Sequence, residues 1–253
     1  MERTRFRRLK RLHRLALQLA FLPFIARDYF RFRSLLRDAA PGRFAPSIAA
    51  TQPCVFDRGE ATPFDRHYVY HTAWAARAVR RIAPPFHVDI SSSLYFSSIV
   101  SAFVPVRFYD YRPPNLALPD LACAHADLLA LPFAGASVRS LSCMHVLEHV
   151  GLGRYGDPLD PDGDLKAAAE LQRVLAADGD LLVVVPVGRP VLRFNAMRVY
   201  SHDQVIAMFA GLSLREFALI HEYEEDGGLT TGATREMADR EEYGCGCFWF
   251  VKR

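Results

Sequence analysis

The sequence predicts an α/β fold: a doubly wound, mostly parallel, seven-stranded sheet with a helical N-terminal extension. Three observations predict it. Short apolar runs of strand type alternate with segments of helical period from about residue 65 to the C-terminus. One run, Leu181-Leu-Val-Val-Val185, is apolar without alternation, as in a parallel strand covered on both faces. Apolar residues make up 51% and charged residues 23% of 253 residues, enough to bury the core of one large domain and carry an appendage.

Residues 1–64 read as the extension and a linker, and 65–253 as the domain. The linker is marked by Pro41, Gly42, Pro46, Pro53, Gly59 and Pro63. A helix is expected from Asp65 to Ile82, stopped by Pro84-Pro85. His87–Ile90 gives the first strand, Leu94–Phe103 a helix ended by Pro105, and Val106–Asp110 the second strand. Residues 122–127 give a third, weaker strand and Val138–Met144 a fourth. Asp164–Ala177 is the clearest helix, with Leu165, Ala168, Ala169, Leu171, Val174 and Leu175 on its apolar face and Asp178-Gly179 as its stop. The fifth strand is Leu181–Val185. Ser201 caps a helix over His202–Ala210 that Gly211 ends. Leu214–Ile220 and Cys247–Val251 close the sheet around an acidic loop at 221–243. In such a sheet the ligand lies beyond the carboxyl ends of the strands, where strand order reverses.

The net charge of +3 hides an asymmetry. Residues 1–40 hold eleven Lys and Arg against three acids, a local +8 that leaves −5 for the rest. Phosphate binding needs a basic surface, so the acidic domain argues against a nucleic-acid partner. The basic run Arg3–Arg14 precedes an apolar stretch, Leu15–Ala26, that Gln18 and Pro23 interrupt and that is shorter than a spanning helix needs. Two readings of it stand: a helix packed on the domain, or a basic amphipathic helix resting on an anionic membrane surface. Cys54, Cys123, Cys143, Cys245 and Cys247 are odd in number and lack zinc-finger spacing, which points to a reducing, cytoplasmic setting.

Three motifs carry a resemblance. The first is Ala126-Asp127-Leu128-Leu-Ala-Leu-Pro132-Phe133, the second Ser142-Cys-Met-His145-Val-Leu-Glu148-His149-Val150. The third runs from Glu170-Leu-Gln-Arg173-Val-Leu175 through Gly179 to Leu182-Val-Val-Val-Pro186. In this order the chain resembles the class I, Rossmann-like S-adenosylmethionine-dependent methyltransferases. The loop Gly151–Asp160 with Phe194-Asn195-Ala196 is similar, more narrowly, to a bacterial methyltransferase-like family of glycan-biosynthesis clusters. The resemblance implies S-adenosylmethionine as cofactor, with Asp89, Ser91 and Ser93 near its methionine end, Asp110 at the ribose, and Asp127 and Leu128 at the adenine. Asp110 follows Asp89 by about 20 residues, the interval expected of a ribose-binding acid. The first strand departs from the family: Asp89 is followed by Ile90-Ser91-Ser92-Ser93-Leu94-Tyr95 where a Gly-rich turn is usual, and Tyr95 is expected to crowd a turn built for glycine.

His145, Glu148 and His149 admit several readings. If helical, their spacing puts all three on one face. H-x-x-E-H also matches an inverted zinc-peptidase motif, but its neighbours belong to another fold and no downstream Glu completes it. Some metal-dependent O-methyltransferases carry E-x-x-E-H here, which implies a divalent ion that lowers the acceptor hydroxyl's pKa. His145 or His149 could instead act as general base without a metal. In the bland reading the segment only packs the next loop. Asp157–Asp164 resembles a calcium loop superficially but lacks its spacing. Asn195, Arg198 and Tyr200 are candidates for an acceptor pocket. The expectation is methyl transfer to an oxygen of a small or glycan-linked acceptor. Its rival is a methyltransferase-shaped protein that binds a partner or membrane-linked glycan without catalysis.

Overall fold

The computed structural model describes residues 22–36, 47–52 and 62–253. The basic run at Arg3–Arg14, Cys54 and most of the expected linker lie outside them. The chain divides into two compact units, 1–63 and 64–253. In the first, residues 22–35 form helix α1 and Ile48–Ala50 a single 3-10 turn. No helix among the described residues is long and apolar enough to cross a membrane.

The second unit opens with α2 (Arg66–Ile82). The Asp65 carboxylate accepts from the Tyr68 amide at its start, and Ala83 ends it in the left-handed region before Pro84-Pro85. Then come β1 (His87–Ser91), α3 (Leu94–Val100), β2 (Val106–Asp110), β3 (Leu121–His125) and β4 (Val138–Met144). A 3-10 turn (Leu147–His149) leads through a long loop to α4 (Gly163–Val174), β5 (Leu175–Val187) and a hairpin of β6 (Val191–Arg193) and β7 (Met197–Val199). The chain ends with α5 (His202–Met208), β8 (Ser213–Ile220), β9 (Leu229–Thr231), α6 (Arg235–Arg240) and β10 (Gly244–Val251).

The main sheet runs β3-β2-β1-β4-β5-β10-β8-β9. The pairs from β3 to β5 are parallel, while β10 lies antiparallel between β5 and β8. Strand order reverses between β1 and β4, which opens a crevice at their carboxyl ends. The sheet has eight strands rather than seven. Leu229–Thr231, inside the acidic loop, adds an edge by pairing with β8, and three residues are too few to show a period. β5 is also longer than expected. It begins at Leu175, paired with Val138, and passes Asp178 at φ 56° with a register shift, so α4 stops at Val174. The residues expected to stop a helix instead kink a strand.

Apolar residues bury on both faces. Val88, Ile90, Leu141, Leu171, Val183 and Phe248 belong to one cluster; Trp74, Val79, Phe96, Val106, Leu182 and Trp249 belong to the other. β1 is all buried, yet it alternates apolar Val88 and Ile90 with polar His87, Asp89 and Ser91. That polar face decides where the first-strand acid goes.

Candidate functional site

A cavity of about 360 Å³ opens at the carboxyl ends of β1, β2 and β4, within the size range of small-ligand sites. Asp110, at the tip of β2, accepts a hydrogen bond from the Arg112 amide at 2.6 Å. Asp127, two residues past β3, accepts from the Leu129 amide at 2.9 Å. Each acid thus braces its own turn with one carboxylate oxygen, and both residues line the cavity. Ile90, Leu128, Val146 and Val150 supply apolar wall.

The loop after the 3-10 turn covers one side through Tyr155, Asp157 and Pro158. It is tied internally: the Asp157 carboxylate accepts from the amides of Gly151 (2.9 Å), Gly153 (3.2 Å) and Tyr155 (3.1 Å). Gly151 sits at φ 78°, and a Cβ there would lie 2.0 Å from the Asp160 carbonyl oxygen, so glycine is required. Amide donors already occupy the carboxylate a calcium ion would need, and Asp160 pairs with Lys166 at 2.6 Å. The resemblance to a calcium loop does not hold up.

A second cavity, about 550 Å³, adjoins the first and shares Ser92, His145, His149 and Tyr155 with it. Its far side is the start of α2, at Asp65 to Tyr68, with Glu222 and Tyr243. Arg66 anchors that helix start by donating to the carbonyls of His221, Tyr223 and Gly227. The Tyr68 hydroxyl meets Ser92 Oγ at 2.9 Å, at the seam between the cavities.

Around the seam lies a cluster of imidazoles. His145 follows β4 at φ 54°, outside any helix, so the expected single helical face for His145, Glu148 and His149 does not form. The His145 Nδ1–H donates to Glu148 Oε1 at 3.0 Å, and its Nε2 lies 3.6 Å from Cys245 Sγ. His149 Nδ1–H donates to the Ala196 carbonyl at 2.7 Å, while its Nε2 is 3.8 Å from Glu148 Oε1. Glu148 is 1% exposed, and its Oε2 has no hydrogen-bond partner among the described residues. His67 stacks on His145 at 5.6 Å between ring centroids, and His71 meets it edge-on at 5.0 Å. Burial first, and then the neighbouring His145, lower the pKa of His67 to about 4 and of His71 to about 3, so both are neutral at pH 7. As a metal triad the three expected residues do not converge: His145 turns Nδ1 to Glu148 and Nε2 toward Cys245, while His149 Nδ1 is held by the Ala196 carbonyl. Among the described residues the ligand atoms that converge are those of His67, His145 and Cys245.

The structure gathers Ser91, Asp110, Asp127, Leu128, His145 and His149 on the first cavity. Two expected members are elsewhere. Asp89 is fully buried and lines neither cavity: Ser142 Oγ donates to it at 2.5 Å, and the hydroxyls of Ser91 and Ser97 donate closely to it as well. Ser142 in turn accepts from His87 Nε2 at 2.8 Å, and His87 Nδ1 pairs with Ser140 at 2.7 Å. Side chains alternate along a strand, so the residue whose neighbours Val88 and Ile90 face one core must face the other side. Ser93 accepts from the Tyr95 amide and caps α3. Tyr95 does not crowd the cleft: it is 71% exposed on that helix and lines neither cavity. Asn195, Arg198 and Tyr200 line neither cavity; Arg198 donates to the Val150 carbonyl and the Tyr200 hydroxyl to Asp164.

Sequence reasoning missed His67, Tyr68 and Tyr243. For α2 a signal existed, since His67 and His71 stand four apart behind the cap Asp65 and share a helical face. Tyr243 had none.

Comparison with known proteins bears on the fold. A family described as a Caenorhabditis protein of unknown function, DUF268, matches residues 136–241. No curated protein matches the chain in sequence. Among solved structures, one similar chain comes from the Haloferax volcanii complex between the Trm112 methyltransferase activator and a provisionally assigned methyltransferase. It is 20% identical with a TM-score of 0.51, over 74% of this chain and 89% of that one. Another, from Galdieria sulphuraria and provisionally described as a sarcosine dimethylglycine methyltransferase, is 11% identical with a TM-score of 0.52, over 73% and 86%. The domain therefore has the Rossmann-like fold of class I methyltransferases.

Proposed function

We propose that this protein is an S-adenosylmethionine-dependent methyltransferase acting on an oxygen of a small or glycan-linked acceptor. One observation carries the reading: two cavities meet at the switch point of the sheet, one framed by the acids of β2 and β3, the other polar and aromatic, with an imidazole between them. Asp110 would hold the ribose hydroxyls, and Asp127 with Leu128 the adenine. When bound, S-adenosylmethionine supplies an electrophilic methyl group on its sulfonium.

The chain's own part is to align the acceptor and remove its proton. His149 suits the second task. Its Nδ1–H is fixed on the Ala196 carbonyl, which puts the lone pair on Nε2, with Arg154 Nη1 at 3.4 Å beside it, and the ring borders both cavities. His145 is less suited, because its Nδ1 is held by Glu148 and its Nε2 faces Cys245. Tyr68 and Tyr155 offer ring faces and hydroxyls to an acceptor in the second cavity, and Arg66, Arg154 and Glu222 offer charged hydrogen-bond partners there. That mixture suits a compact polyhydroxylated acceptor.

The experiment is calorimetric titration of the full chain with S-adenosylhomocysteine, followed by transfer of labelled methyl groups to a panel of small hydroxyl compounds and glycans. Saturable binding and base-stable label on a hydroxyl acceptor support the reading. Absence of binding would overturn it in favour of a partner-binding role without catalysis, which the inward burial of Asp89 favours.

A further inference from the structure

We propose that His67, His145 and Cys245 form a binding site for a zinc-class divalent ion, beneath the second cavity and away from Asp110 and Asp127. The three residues come from α2, the turn after β4, and β10, and their ligand atoms all lie within 4.8 Å of one another. His145 Nε2 and Cys245 Sγ are 3.6 Å apart. Tetrahedral bonds to zinc of about 2.0 Å for nitrogen and about 2.3 Å for sulfur put two such ligands roughly 3.5 Å apart.

The lone pairs point the right way. Glu148 takes the His145 Nδ1–H, which leaves Nε2 as the free nitrogen on the side of the thiol. A carboxylate behind a ligating histidine is the usual device for fixing tautomer and raising basicity. His67, whose ring stacks on that of Tyr243 at 5.0 Å between centroids, brings a ring nitrogen into the same cluster. Both imidazole rings line the second cavity, which leaves an open coordination position toward solvent.

Glu148 is the independent observation. It is buried, and its Oε2 has no partner among the described residues. A buried carboxylate without full compensation is costly. A dication on the far nitrogen of His145 would supply the missing positive charge through the ring. On binding, the Cys245 S–H bond breaks, a metal–sulfur bond forms, and the proton leaves to solvent.

The test is titration of the full-length protein with Co²⁺ alone, read by absorption, then displacement by Zn²⁺. The expected result is one equivalent of Co²⁺ with intense tetrahedral visible bands and a near-ultraviolet thiolate charge-transfer band, with about one proton released per ion. Cys245→Ser should abolish the charge-transfer band. His67→Gln, at the cavity wall, should weaken binding at least tenfold while circular dichroism stays unchanged, and Cys247→Ser should keep both band and affinity. Absence of tetrahedral bands at one equivalent would overturn the proposal, as would a charge-transfer band that survives Cys245→Ser. The proposal does not rest on methyl transfer, since S-adenosylhomocysteine binding is measured separately at Asp110 and Asp127.

Discussion

Two buried carboxylates, 59 positions apart in sequence, sit at the crevice edge of neighbouring strands, and they could hardly differ more. Asp89 on β1 is closed. Three serine hydroxyls donate to it, a histidine and a fourth serine extend the chain, and none of its oxygens reaches a cavity. Glu148 after β4 is open. One oxygen holds His145, the other has no partner among the described residues, and two cavities meet beside it. A satisfied buried acid stabilises one arrangement of its neighbours; an unsatisfied one beside lone pairs and solvent is poised to meet a ligand. The lesson is that burial of an acid says little, and the state of its second oxygen says a good deal.

The largest effect expected is on the open side. His149→Gln should lower the rate of methyl transfer by about 10²–10⁴-fold, the usual worth of a general base, with little change in the unfolding midpoint. A variant with unchanged rate would move the base elsewhere. On the closed side the expectation inverts: Asp89→Ala strands three buried hydroxyls and should cost about 3–5 kcal/mol in urea unfolding. If stability were untouched and only cofactor affinity fell, Asp89 would belong to the cleft after all.

Asp110→Ala and Asp127→Ala probe the cleft between these extremes. Each should weaken S-adenosylhomocysteine binding by about tenfold to a hundredfold, as loss of a charge-assisted hydrogen bond does, at nearly constant stability.

The smallest effect is on pH dependence. Burial lowers the pKa of His87 from 6.5 to about 3, so unfolded chains take up its proton below pH 6.5 while folded ones do not. Stability present above pH 6.5 is therefore lost as pH falls, by about 1.4 kcal/mol per unit from this residue. Asp89 acts in the opposite sense. Burial raises it from 3.8 to about 6, so the folded state binds its proton first and gains stability between those values. His87→Gln should flatten the loss between pH 6.5 and 5 relative to the parent, measured as denaturation midpoints across that range. Parallel curves would show that His87 titrates alike in both states.

Much of the domain was legible in the residues. The order of strands and helices from β1 to β5 follows from apolar runs between turn signals; Asp110 emerged from its place at a strand end, and Asp127 from the motif that carries the resemblance. The misses share a cause. The direction of Asp89 depends on which side of β1 each core cluster takes. The kink at Asp178 is held by distant chain: β4 pairs on either side of it, at Leu175 and Asp180, and the Asp178 amide donates to the Lys252 carbonyl. β9 is three residues long and exists only because β8 offers an edge.

The sequence by itself determined the alternating architecture, the switch-point crevice and the acids at the ends of β2 and β3, because periodicity and strand-end turns are local. Only the tertiary structure decided that Asp89 turns inward, that His67 and Cys245 join His145, and that Glu148 keeps an oxygen without a partner among the described residues. These facts depend on side chains from α2, β4 and β10 meeting across long sequence separations. No local pattern encodes that meeting; packing on both faces of the sheet does.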